Sequence, residues 1–487
     1  MVDGISGRID WDKNGNYTGG HDRVTDDIRG EISVGFGRDQ GGALTPIISG
    51  RGQFALDNAA RKYSPRNASS PLFGKLKPAR PALFERTVGG VTYTVFAGHT
   101  DEQPLNPDTA AKRVTVTLVD PIADFRGVRI ATQLYSGKRT GEVIDLILTA
   151  AGWTGGRDLD AGATIIPWWW EDGTDALDAL QKVVASEGSP ALLTIGPAGE
   201  IVFRDRHHRQ TRTASTVSQQ TWRGTPGAAE PTMAPGFEVD EAWQSVVNDV
   251  TLSVDERQPQ AYGPVWTTDE TITLAASASR TVVVATSDPF TGALAPTDDR
   301  DFTTLAGSIS SVSLSRTSGA STSITLTAGG SGATITGLQL LARSVPVVRT
   351  VQVSASDSSS ITDYGSRGIP TGMEPVWCGR YDAQALADLY VLQRKQPLPT
   401  ARVRFVCGIG NDARLTALLA RNLSDRVTVV EPESATNGAF FVERIEHVIY
   451  GEHNHEITFG LEAAPAAPVS PFILGTSTLN GSDGLGY

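Results

Sequence analysis

Cysteine is almost missing from this chain: only Cys378 and Cys407 occur, far apart and without paired spacing. Two such thiols make no disulfide framework. They suit synthesis in a reducing cytoplasm and read as ordinary buried groups. Long apolar runs are missing too. No stretch approaches the ~20 residues a bilayer span needs, and the opening residues, MVDGISGRIDWDKNG, hold no signal-peptide core. Delivery outside the cell would then need another route, such as release inside a particle. Positive charge is in deficit: 42 Lys and Arg stand against 54 Asp and Glu, a net charge of −12. That argues against wholesale binding to nucleic acid or an anionic membrane. The sequence also has no phosphate-binding loop, no HExxH and no EF-hand calcium loop.

What the chain does have is glycine (51 residues) and proline (27), among many Thr, Ser and Val, the texture of strands and turns. Apolar residues at 39% and charged residues at 20% fit a soluble globular protein. A length of 487 residues implies about three or four domains. The stretch Gly52–His99 organises the reading. Phe54 and Leu56 alternate with Gln53 and Ala55; the runs Ala82–Arg86 and Tyr93–Ala97 are joined at Gly89-Gly90. Period two with a Gly-Gly link predicts a β-hairpin. Between them, Asn58–Pro78 holds Ser64-Pro65 and Ser70-Pro71, and the residue before a proline is pushed to extended geometry. This link is an ordered excursion over a surface rather than a helix.

Taken in order, Ile32, Val34 and Phe36 alternate in Glu31–Phe36, and Val114, Val116 and Leu118 do so in Arg113–Val119. These strands suggest a barrel or sandwich. After Asp120 the period changes. Thr140–Ala151 is a predicted helix stopped by Gly152; a second runs about Thr174–Glu187, with Asp172 or Thr174 as cap and Gly188 as stop. Strands Ala191–Ile195 and Ile201–Arg204 complete an α+β unit. Residues 205–240 read as a linker, and Val246–Val254 as a strand. Thr267–Val345 shifts to Ser, Thr, Ala and Gly with almost no charge after Asp301, a small all-β module, and Val345–Val353 resumes the main body. Asp382–Gln396 is a predicted helix, with Asp382 as cap, Ala385, Leu386 and Leu389 inward and Pro397 as stop. Then come Arg402–Val406, a helical turn near Arg414–Leu419, Arg426–Val430, Phe440–Tyr450 and His455–Leu461, a second β group echoing the first. The end, Ala463–Tyr487, is Ala, Pro, Ser and Gly and reads as mobile.

Six features carry residue types suited to a site. His447 with His453-x-His455 offers two same-face ring ligands for zinc; a solvated strand edge is the favoured alternative. In Trp168-Trp169-Trp170, the outer two would share a strand face suited to a sugar ring; packing over the two helices is favoured. The run Arg204, Arg206, His207, His208, Arg209 and Arg212 is the only strongly basic one, and a salt-bridged subunit contact or solvated strand end is favoured over phosphate binding. Gly329-Gly330-Ser331-Gly332-Ala333 looks like a nucleophile elbow but lacks the last glycine and a strand-to-helix setting. Asp26-Asp27 and Asp298-Asp299 read as turn formers. None is carried forward as a catalytic, cofactor or metal site, and no cofactor is expected.

The stretch also resembles a known family. Leu56-Asp57-Asn58, Tyr63-Ser64-Pro65-Arg66-Asn67, Ser70-Pro71-Leu72-Phe73-Gly74 and Leu76-Lys77-Pro78-Ala79-Arg80, with Thr25-Asp26-Asp27-Ile28 and Phe36-Gly37-Arg38 upstream, are similar to the first domain of tail hub (minor tail) proteins of long-tailed bacteriophages, especially those of actinobacteria. The family usually has Gly where this chain has Ala79. The resemblance covers residues 20–125, runs more loosely over 125–215 and 350–465, and is absent from roughly 265–345. It implies a mainly β, multidomain chain with an α+β portion. Residues 1–120 would be a first tail-tube-like barrel, 121–215 an α+β domain, and 216–263 a linker and the start of a second barrel. An inserted sandwich would fill 264–345. The second barrel would continue over 346–465 with helix 382–396, and 466–487 would be a flexible tail. It further implies a structural, non-enzymatic virion protein at the tail tip, made in the host cytoplasm. As a homotrimer this would form a ring of six barrels joining a six-fold tube to a three-fold tip. Expected partners are distal tail and tail tube proteins, a tape measure protein, other tip or fibre proteins and viral DNA in passage. The net acidity would suit an acidic channel. The alternative is an adhesin that binds host cell-wall glycan through the insertion.

Overall fold

The computed structural model describes residues 4–38, 47–101, 105, 107–225, 231–241, 243–370, 374–451 and 454–464. The flexible-tail expectation for 466–487 lies outside them. Six longer strands come first: β1 (Gly4–Ile9), β2 (Ile28–Arg38), β3 (Ile47–Asp57), β4 (Pro81–Val88), β5 (Val91–Thr100) and β6 (Arg113–Val119). The predicted hairpin is present: Val88 faces Val91, and Gly89 and Gly90 take φ of +58° and +79°. A two-residue turn of this hand needs positive φ at both positions, which glycine supplies. The link after β3 runs through turns, as expected. It is tied down by buried Tyr63 and Leu72, and the Tyr63 hydroxyl donates to Asp27 at 2.5 Å. Period two delivers the core, where Trp11, Phe54, Leu56, Phe84, Val114, Val116 and Leu118 are all buried.

The α+β unit holds helix α1 (Thr140–Ala150), ended by Gly152 at φ +77°, and α2 (Ala176–Glu187), ended by Gly188 at φ +86°. The cap of α2 is Asp175, whose carboxylate accepts from the Leu177 N–H at 3.0 Å, and not Asp172 or Thr174. Residues 172–175 are drawn out as a strand against 129–131, which moves the helix start downstream. Ile144, Ile147, Leu148, Leu180, Val183 and Trp169 form this unit's own core.

The remainder contains β7 (Thr221–Arg223), β8 (Glu238–Asp240), β9 (Asp249–Arg257), β10 (Val347–Ser356), α3 (Arg380–Arg394), β11 (Thr400–Cys407), α4 (Asp412–Leu419), β12 (Arg426–Glu431), β13 (Thr436–Tyr450) and β14 (Asn454–Ala463). Between β9 and β10 lies the insertion. Strands 263–267, 339–344 and 290–294 form one of its sheets; strands 272–274, 279–285, 303–316 and 321–336 form the other, and one apolar cluster joins them. Residues 321–336 are a single long strand.

Three expectations change. First, the two β groups are not separate barrels. They fuse into one thirteen-stranded sheet whose path is β1-β4-β5-β6-β3-β2-β13-β14-β11-β8, with β12 on β13, β7 on β12 and the short strand 107–108 on β6. The seam is the antiparallel pairing of β2 with β13, from Glu31 opposite Tyr450 to Gly37 opposite Arg444. Neither ladder closes into a barrel among the described residues. Irregular backbone fills each gap instead: Ile9 N–H donates to Asp22 O at 2.8 Å on one side, and Ala234 N–H to Arg404 O at 2.7 Å on the other. Second, β9 and β10 do not extend the second group. Among the described residues they pair only with each other, and α3 packs its Ala383, Leu386, Ala387 and Tyr390 on that ribbon. Third, α3 starts after Gly379, which places Asp382 inside the first turn, and Ala385 is only half-buried.

Candidate functional site

The seam is built by backbone. Gly37 sits there at φ +118°, and a Cβ on it would lie 2.3 Å from the Glu443 carbonyl oxygen, so the close approach of β2 to β13 requires glycine. Beneath the seam, Ile449 joins the first core and Ile445 the second. His447 lies between them, with its Nδ1 3.0 Å from Nε2 of His455. Burial pushes the His447 pKa down to about 4, and burial, then the neighbouring His447 and Arg86, push His455 down as well. Two neutral rings sharing one N–H satisfy this spacing: one donates and the other accepts. The solvated-edge expectation is therefore corrected. β14 is flanked by β13 and β11, and His455 is wholly buried. His453 and Glu452 lie outside the described residues.

The basic run forms a joint within the chain. Arg204 pairs with Asp158 and, at 3.2 Å, with Asp160. Arg206 donates to Thr164 Oγ1 at 2.8 Å and Glu187 O at 3.1 Å. Arg209 pairs with Glu443 and lies 4.4 Å from the Phe441 ring centroid; Arg38 reaches the same Glu443 at 3.7 Å and donates to Ala191 O at 2.9 Å. The end of β2, the α+β unit and β13 thus meet on one buried carboxylate. His208 joins them too. Its Nδ1 is 2.6 Å from Asp205 O and its Nε2 2.8 Å from Ser424 Oγ. With the proton on Nδ1, Nε2 accepts from the serine, the hydrogen-bond order of an activated nucleophile. Ser424 is buried, however, and its oxygen also receives Arg209 Nε–H at 3.2 Å, so this pair fastens two units together.

The tryptophans divide. Trp169 is buried in the α+β core beside Tyr135. Trp170 is half-buried, with the Arg257 guanidinium 5.0 Å from its ring, Trp377 at 5.5 Å and Gly319 of the insertion against it, where an added Cβ would lie 2.4 Å from the ring. Its faces serve contact between units and are not laid open to a sugar.

The other features behave as bland ones. Cys378 and Cys407 are buried, unpaired thiols; burial pushes Cys378 up to about 12. Gly329–Ala333 lies within a strand. Asp27 holds Lys62 at 2.6 Å, and Asp298 caps a turn by accepting from Thr304 N–H at 3.1 Å. An open cleft of about 620 Å³ between Asp158, Asp160, Arg204, Asp205, His207 and Arg212 has both charge signs on its walls. Among the described residues, no three His, Cys, Asp or Glu side chains are grouped to hold a metal ion, and no helix is long and apolar enough to cross a membrane.

No family model and no curated protein matches this chain. Among solved structures, it is similar to the tail protein from Neisseria meningitidis, at a TM-score of 0.50 and 10% identity, over 96% of this chain and 98% of that one. Its fold is that of a tail protein. The 43 kDa tail protein of prophage MuSo2 from Shewanella oneidensis aligns at a TM-score of 0.47 and 12% identity, over 94% and 98% of the two chains. Prophage tail protein gp18 from Listeria monocytogenes aligns at 0.40 and 10%, over 94% of each. The alignment with the Neisseria tail protein spans both halves of the large sheet and the units between them at 10% identity.

Proposed function

We propose that this chain is a tail-tip hub of a long-tailed phage: a structural, non-enzymatic virion protein that joins a six-fold tube to a three-fold tip as a homotrimer and forms part of the DNA channel. One observation carries the reading. On each side of the seam a hairpin is followed outward by one further antiparallel strand, β2-β3-β6 on one side and β13-β14-β11 on the other, although β6 comes after its hairpin in the chain and β11 before its own. One chain therefore offers two like β units side by side, and three chains offer six, the number a six-fold tube presents. Closing such a ring requires matching heterologous edges. Tube and distal tail proteins, the tape measure protein and tip fibres are its partners in this reading. Glycan binding by the insertion loses Trp169 and Trp170 as support, because both are engaged in packing within the chain.

Light scattering of the purified chain, followed by negative-stain imaging, tests the proposal. A trimer with a central hole is expected, and a stable monomer at high concentration counts against it. Zymography on peptidoglycan tests the non-enzymatic part, since a lytic band would overturn it.

A further inference from the structure

The strand path of the large sheet has two unlike ends. On one side it finishes at β8, which is bonded to β11 alone, so among the described residues its other edge is free. Residues 237–241 read FEVDE, three carboxylates and no cation. Glu238, Asp240 and Glu241 are exposed and have no cation paired to them among the described residues. Arg402, opposite Glu238 in register, reaches Glu446 instead. Val239 and Trp243 beside them are 38% and 65% exposed. On the other side the path finishes at β1, whose outer edge is taken by the backbone of Asp22 and Val24. The excursion 58–80 is anchored at that end. Lys75 pairs with Asp12 at 2.7 Å, Lys62 with Asp27 at 2.6 Å, and the Tyr63 ring lies 6.0 Å from that of Trp11. The excursion holds six Lys and Arg and no Asp or Glu. Arg61, Arg66 and Lys77 are exposed with no carboxylate paired to them among the described residues, and Phe73 in the same loop is 54% exposed.

Resting on the hub reading, we propose that these two ends meet between copies: the basic excursion 58–80 of one chain docks on the acidic edge 238–241 of the next. The occupant of each surface is thus a second copy of this chain. The charges are opposite and equal in number, three unpaired cations against three unpaired carboxylates. Each surface also offers an exposed aromatic ring, Phe73 or Trp243, which adds apolar area where exposed ion pairs alone contribute little. The two surfaces belong to opposite ends of one strand path, so the contact is heterologous and repeats head to tail, as ring closure requires. The same charges select against the wrong contact. Two β8 edges laid side by side would set carboxylates against carboxylates, so the free edge is closed to its own kind and open to a basic surface.

The test is carbodiimide cross-linking of a mixture of isotope-labelled and unlabelled full-length protein, read by mass spectrometry beside light scattering. Carbodiimide joins an amine to a carboxylate in direct contact with it. A cross-link of mixed isotope, from Lys77 to Glu238, Asp240 or Glu241, is expected. Charge reversal gives the second measurement. D240K/E241K and R66E/K77E alter exposed side chains only. Each should raise the concentration at which half the chains are assembled by about tenfold or more, because like charges then face each other. All four changes in one chain should bring that concentration back to within about threefold of the unaltered protein. A trimer without the cross-link, or a combined variant no better assembled than its two parents, overturns the docking and leaves the hub reading standing. The cross-link in a chain that assembles no further than dimers supports the docking and sinks the ring. A monomer without the cross-link overturns both.

Discussion

The Glu443→Gln substitution is the sharpest probe of how the units are joined. The Glu443 side chain is 6% exposed and holds two guanidiniums, Arg209 at 8% and Arg38 at 11% exposure. Burial lowers the Arg38 pKa, and Glu443 is the largest influence opposing that shift. Neutralising Glu443 removes the carboxylate that pairs with both cations and leaves only the field of Glu462, which is itself held by Arg394 at 3.1 Å. At about 4 Å and an effective dielectric near 20, one such attraction is worth about 4 kcal/mol. Breaking a buried pair by removing one partner costs about 3–5 kcal/mol. The loss is expected at that size and at the joint of β2, the α+β unit and β13. Replacing all three groups at once (Arg38→Met, Arg209→Met, Glu443→Leu) should recover most of it, because nothing charged is then stranded. A chain of this size unfolds in more than one step. The readout is therefore the urea midpoint at which residues 204–216 become open to protease, alongside tryptophan fluorescence. A loss under about 1 kcal/mol would mean that the pair behaves like an exposed one and that the joint is not dry.

Three further outcomes follow from named contacts. His447 has a folded pKa of about 4, below its ordinary 6.5; its contribution is complete above about 6.5 and is lost as pH falls toward 4. This amounts to about 3 kcal/mol, and His447→Phe should remove that part of the acid dependence in urea titrations run across the window. Ala79 stands at φ +53°, where the resembling family has glycine. Ala79→Gly should raise stability by about 1 kcal/mol, seen as a higher melting temperature, and a decrease would count against strain at this turn. Trp170→Ala removes the ring between Arg257, Trp377 and Gly319, worth about 1–3 kcal/mol. Limited proteolysis should then cut faster between β9 and the insertion, with the large sheet unaffected.

Much of the fold is readable in the residues because it is local. Alternation in 82–97 with Gly89-Gly90 predicts the hairpin, and the stripes of α1 and α2 with Gly152 and Gly188 predict both helices. What escapes is partner choice over long separation. Nothing in Ile32 or Ile449 states that their strands lie side by side, and period two is equally content with two closed barrels. One signal was available: Gly35-Phe36-Gly37 puts two glycines on one strand face, the mark of a close backbone approach. The histidines show the same limit. Attention falls on His453-x-His455 because spacing along one strand is visible, whereas the pair that forms, His447 with His455, lies diagonally across a ladder. The basic run hides its role because its acids, Asp158, Glu187 and Glu443, come from three distant segments.

The units of the chain are held by unlike forces, and that difference bears on the proposed role. The two halves of the large sheet share a backbone ladder whose hydrogen bonds do not depend on side chains, and Gly37 sets its spacing. The α+β unit is held to them by buried ions and hydrogen bonds around Glu443 and Ser424, which are strong only while complete and dry. The insertion joins the ribbon covalently at β9 and β10 and leans on the α+β unit through Trp170, a contact of half-exposed surfaces. Rigidity therefore falls from the seam outward. A ring around a channel needs its wall spacing fixed within each chain, since any slip between β2 and β13 would alter the angle between neighbouring units and prevent closure. Parts that meet varied partners at the outside need no such precision. The order of strengths in this chain, backbone ladder, then buried ions, then ring stacking, follows that division.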